Sequence, residues 1–78
     1  MDCNELWGDW HAHSAFLYER KGDMQAASEA GKKALSYFTS GRYLNRAAAL
    51  QYIENGRFLM ALDSLDAAGQ SFQSALKL

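Results

Sequence analysis

Tyr18-Glu-Arg-Lys-Gly22-Asp-Met-Gln-Ala-Ala27 closes one helical pattern and opens another. A basic pair precedes a glycine, as at many helix C-termini, and an aspartate follows in the N-cap position of a new apolar-periodic run. Tyr52-Ile-Glu-Asn-Gly56-Arg-Phe-Leu-Met-Ala61 has a similar order of residue types. Read together, the two stretches predict two helix–turn–helix hairpins, with turns at Gly22 and Gly56.

The rest of the 78-residue chain agrees with an all-α fold: proline is absent, β-branched residues are scarce, and alanine, leucine, lysine, glutamine and glutamate dominate. The length allows one domain, residues 1–78, near the lower limit at which a single core suffices. An apolar share of 49% argues for a packed protein, and a net charge of -1 points away from nucleic acid as a partner. No apolar run approaches the roughly 20 residues of a membrane span, and no basic start with an apolar core marks a secretion signal. With Cys3 as the only cysteine, these features place the chain in the cytoplasm.

Four helices follow from the periodicity. The first is expected from about Asn4 to Lys21, with Leu6, Trp7, Trp10, Ser14, Leu17 and Tyr18 on its core side. Phe16 points away from that stripe. The second, capped by Asp23, runs to about Thr39 and buries Met24, Ala27, Gly31, Ala34, Leu35 and Phe38. After the break at Ser40-Gly41, the third spans about Arg42 to Asn55 and is apolar nearly all round, so contact on more than one side is expected. Gly56 then turns the chain into a long final helix that buries Phe58, Ala61, Leu62, Leu65, Ala68, Gly69, Phe72 and Leu76. The same helices are compatible with a four-helix bundle or with hairpins that pair in a dimer.

Gly22 and Gly56 are 34 residues apart, and at that offset Ala15 matches Ala49, Tyr18 matches Tyr52, Ala27 matches Ala61, Ala34 matches Ala68 and Phe38 matches Phe72. On these residues the chain resembles the tetratricopeptide-repeat family, with a first hairpin over about 8–41 and a second over about 42–78. It departs from the family at His11 and Asn45, where tryptophan is usual, and at Thr39, where proline is common. Two units are fewer than the three usually needed for a stable stack, so a homodimer or an obligate complex is expected.

The resemblance implies a concave groove lined by the first helix of each unit, which holds a peptide or helix of another protein. By register it takes Asp9, Ala12, Phe16, Glu19 and Arg20 from the first unit, and Tyr43, Arg46, Leu50, Ile53 and Glu54 from the second. Phe16, Tyr43, Leu50 and Ile53 are its apolar anchors, with Arg20, Arg46 and Glu54 orienting the partner at the rim.

No constellation points to catalysis, a metal or a cofactor. His11 and His13 diverge by about 160° on a helix and cannot grip one ion as an i, i+4 pair does. The glycines form no phosphate loop, and no nucleophile–base spacing recurs. Trp7 and Trp10 read as core or dimer anchors. The sequence therefore describes a non-enzymatic adaptor or chaperone-like interaction module; a structural or regulatory homo-oligomer and a small inhibitor of a larger machine are the alternatives.

Overall fold

The computed structural model describes residues 3–39 and 46–77, and these form four α-helices: α1 (Cys3–Arg20), α2 (Met24–Thr39), α3 (Arg46–Ala61) and α4 (Leu65–Leu76). The principal packing is between neighbours in chain order, α1 on α2, α2 on α3 and α3 on α4, so the helices make two hairpins laid side by side. The Cα trace is a slab of 35 × 26 × 13 Å.

The first turn is where the sequence places it. Gly22 has a positive φ of 84°, the Asp23 amide donates to the Tyr18 carbonyl (3.0 Å) and the Gly22 amide to the Glu19 carbonyl (2.9 Å). This is a Schellman closure, in which a left-handed residue lets the last carbonyls find donors. Asp23 then caps α2, its Oδ1 accepting from the Ala26 amide at 3.1 Å.

The second turn is not at Gly56. Helix α3 runs through that glycine to Ala61, and the same closure is built on Asp63: its φ is 60°, the Ser64 amide donates to the Leu59 carbonyl (2.8 Å) and the Asp63 amide to the Met60 carbonyl (3.0 Å). Aspartate is among the few residues other than glycine that enter the left-handed region at modest cost. The final helix is accordingly short, 12 residues, not long. Gly56 serves close approach instead. A Cβ there would lie 2.5 Å from the Phe72 ring, so the α4 aromatic rests on bare α3 backbone. Phe38 of α2 rests on Gly8 of α1 in the same way. Each pair is placed symmetrically about its turn, Gly8 and Phe38 about Asp23, and Gly56 and Phe72 about Ser64.

Small residues set the remaining contacts. Ala15, Ala27, Ala30 and Phe58 form one buried cluster with Met24 against it; Ala34, Phe38 and Ala48 form another, joined by Ala12, Leu35 and Ala47. Between α2 and α3, Gly31 leaves room for a buried polar pair, Gln51 Nε2 donating to Asn55 Oδ1 at 2.8 Å. The Ser71 hydroxyl ties α4 to α3 by donating to the Tyr52 carbonyl at 2.6 Å.

This packing corrects two of the expected stripes. On α1 the buried side is Gly8 and Ala15, while Leu6, Trp7, Trp10, Leu17 and Tyr18 are exposed. On α4 only Ala68 is buried and Phe72 half-buried, while Leu65, Gly69 and Leu76 face solvent; Ala61 and Leu62 belong to the end of α3 and its turn. On α1 the reason is that the Phe38 ring of α2 takes the space over Gly8, so the small side of α1 meets α2 and its own bulky residues point away. The α2 stripe is as expected, and α3 is indeed contacted on two sides, by α2 and α4.

Two substitutions separate the roles of the second-hairpin residues. Asp63→Gly should raise stability by about 0.5–1 kcal/mol by relieving a left-handed aspartate. Gly56→Ala should lower it by about 1–2 kcal/mol, its gain in helix propensity being outweighed by the clash with Phe72. Urea unfolding followed by far-UV circular dichroism measures both; opposite signs would return the turn to Gly56.

Candidate functional site

Helix α1 offers Phe16, Glu19 and Arg20 along one side, and α3 offers Arg46, Leu50, Ile53, Glu54 and Arg57 at i, i+4, i+7, i+8 and i+11 spacing. The two stripes are joined by ion pairs. Arg57 Nη2 reaches Glu54 Oε2 at 2.6 Å within α3 and Glu19 Oε2 at 2.8 Å across to α1. Its guanidinium is held above its ordinary range, first by the hydrogen bond it donates to Glu54; attraction to both carboxylates adds to this and partial burial opposes it. The centre of the network therefore keeps its positive charge.

Beside this clasp the apolar side chains are bare. Phe16 is 49% exposed and Leu50 55%, with Ile53 also open to solvent. The Arg20 guanidinium lies over the Phe16 ring, 5.8 Å from its centroid, and the His13 ring stacks on the same phenyl at 6.4 Å. The exposed phenyl thus contacts a cation and an imidazole of its own helix, the former worth about 0.5–1 kcal/mol at such a site. Exposed apolar side chains stand on both helices, Phe16 on α1 and Leu50 and Ile53 on α3, with Arg20, Arg46 and Glu54 on the same stripes.

Of the residues expected to form a groove, Phe16, Arg20, Arg46, Leu50, Ile53 and Glu54 thus stand on two helix stripes that the Glu19–Arg57 pair joins. Tyr43 lies outside the described residues. Ala12 is half-buried against the core cluster of Ala34, Phe38 and Ala48, so it supports α1 instead of lining a surface. Arg57 was missed because a turn at Gly56 would have put it on the last helix; in a continuous α3 the Glu54/Arg57 spacing of three is an ordinary helical ion pair.

The histidines engage different neighbours. His11 stacks flat on Tyr37 of α2, with centroids 5.5 Å apart and planes within 5°, while His13 lies on Phe16. Among the described residues no three of His, Cys, Asp and Glu gather as a metal site, and no helix is long and apolar enough to cross a membrane. Compared with family models, curated proteins and solved structures, the chain has no match.

The clasp is half exposed, so its contribution is small. Arg57→Ala should lower stability by at most about 1 kcal/mol at low ionic strength, and by less in molar salt, where the screening length drops to about 3 Å. Urea unfolding at two salt concentrations reads the difference; a loss that is large and independent of salt would mean that the arginine packs as well as pairs.

Proposed function

We propose that this chain is a non-enzymatic protein-interaction module that holds a peptide or helix of another protein on the ridge formed by α1 and α3. The observation that carries this reading is the solvent exposure of Phe16, Leu50 and Ile53 beside an ordered Glu19–Arg57–Glu54 clasp. Side chains of this kind cost a monomer solubility and serve it no packing purpose, whereas apolar centres with charged edges are what partner surfaces use. In this reading Phe16, Leu50, Ile53 and Tyr43 anchor the apolar side of an amphipathic segment, and Arg20, Arg46 and Glu54 set its direction. The module acts in the cytoplasm as an adaptor or chaperone-like holder, by laying helical hairpins side by side as the tetratricopeptide proteins it resembles do.

The competing reading, a structural or regulatory homo-oligomer, is favoured by a different observation: the bare Trp7, Trp10 and Leu17 on another side of α1. The two readings use different surfaces and are compatible, so the working form is a homodimer with the α1–α3 ridge free.

Selection of ligands from a random-peptide display library, followed by calorimetric titration, tests the ridge. Selected peptides should share an apolar i, i+3 or i, i+4 pattern, and replacing both Phe16 and Leu50 by serine should weaken them at least tenfold with helicity unchanged. Equal affinity for the double variant would remove the ridge as the binding site.

A further inference from the structure

Two packing demands meet at one dipeptide. Asn55 stands on the inner side of α3, only 4% exposed, where its Oδ1 accepts from Gln51 Nε2 at 2.8 Å and takes the space over Gly31 of α2. Gly56 follows it and has to be bare, because the Phe72 ring of α4 lies on its backbone. The fold thereby holds the chain to Asn-Gly at 55–56. The other asparagines, Asn4 and Asn45, precede Glu5 and Arg46.

Asn-Gly is the dipeptide most prone to cyclise. Asparagine is a thermolabile residue, and a following glycine has no side chain to keep its amide nitrogen from the asparagine Cγ. Helix α3 denies this reaction while it is closed. In the helical ladder the Gly56 amide donates to the Tyr52 carbonyl, which also accepts from the Ser71 hydroxyl of α4 at 2.6 Å. The amide proton is thus withheld from base, and a helical backbone at Asn55 cannot turn the nitrogen onto Cγ.

From this juxtaposition we infer that Asn55 is a site of spontaneous deamidation that reacts only when α3 opens, and that its conversion permanently retires the opened chain. The Gly56 nitrogen loses its proton to solvent base and attacks Asn55 Cγ. The bond from Cγ to the side-chain nitrogen breaks, and ammonia leaves with a proton from solvent. Water then opens the resulting succinimide at either carbonyl, giving aspartate or isoaspartate at position 55. Neither product fits the closed structure. Aspartate puts an unpaired charge between Gln51 and Gly31, where asparagine was neutral and hydrogen-bonded. Isoaspartate runs the main chain through Cβ, and the extra backbone atom breaks the ladder in the middle of α3. The inference is independent of the α1–α3 surface, since Asn55 faces α2.

Peptide mapping of the full chain tests it. The protein is held in mildly alkaline buffer with and without denaturing guanidinium chloride, and the tryptic peptide of residues 47–57 is followed by chromatography and mass spectrometry. In denaturant Asn55 should convert before Asn4 and Asn45. In buffer it should convert roughly thirtyfold more slowly or less, as expected when the reaction waits on a small open fraction. Subdenaturing guanidinium should raise the rate in step with hydrogen exchange of the α3 amides. After removal of denaturant the converted chain should not regain its helicity, whereas a chain held equally long in acidic denaturant, with Asn55 intact, should. Asn55→Asp, made directly, should raise the unfolded-to-folded ratio at least about tenfold at neutral pH. Equal conversion rates in buffer and denaturant would overturn the gating by α3. Full refolding of the converted chain, or an Asn55→Asp variant as stable as the wild type, would overturn the permanent loss.

Discussion

Close approach across small residues governs this structure. Phe38 lies on the backbone at Gly8, Phe72 on the backbone at Gly56, and the Gln51–Asn55 pair in the space that Gly31 leaves open. A methyl group at any of these three glycines would displace its neighbour. Among the described residues the buried apolar side chains are alanines together with Phe38 and Phe58. Alanine buries little apolar area per residue, and at about 25 cal/mol per Å² a core of this kind stabilises the chain less than one built on leucine. The fold gains instead from tight contact between helices and from two well-satisfied turns.

The same constraint puts the large apolar residues outside. Once Gly8 and Ala15 face α2, the helical period obliges Leu6, Trp10 and Leu17 to face away, and puts Phe16 on a third side of α1. Helix α3 is held by α2 on one side and α4 on another, so its remaining side, with Leu50 and Ile53, stays open. The Glu19–Arg57–Glu54 clasp links α1 to α3 at modest energetic gain. The interior is thin, and large apolar side chains on α1, α3 and α4 stay exposed.

How much of this could be read from the sequence depended on which residue carried the signal. The Gly22–Asp23 turn was legible because glycine is the preferred left-handed residue and aspartate a strong N-cap. The second turn was not, because its left-handed residue is Asp63, and Ser64 begins α4 without a side-chain cap bond. Gly56 attracted the reading since a glycine suggests a break, yet here its missing side chain serves a neighbouring aromatic. The α1 stripe failed for a related reason. Hydrophobicity ranks Trp7, Trp10 and Leu17 above Gly8 and Ala15, and no local rule says that the smaller set faces the partner helix. Phe16 and Leu50 were legible as exposed candidates because Phe16 fell outside any plausible core stripe of its own helix.

The sequence by itself determined an all-helical chain of four segments, the first turn, the α2 core side and the exposure of Phe16. These follow from backbone propensity, capping and the 3.6-residue period, all of which act within a few residues. Only the tertiary structure decided that α3 continues through Gly56, that α1 packs by its glycine and alanine and leaves its tryptophans bare, and that Arg57 joins Glu19 across two helices. Those outcomes depend on how near two helices can come, which is a property of facing surfaces and not of either segment alone.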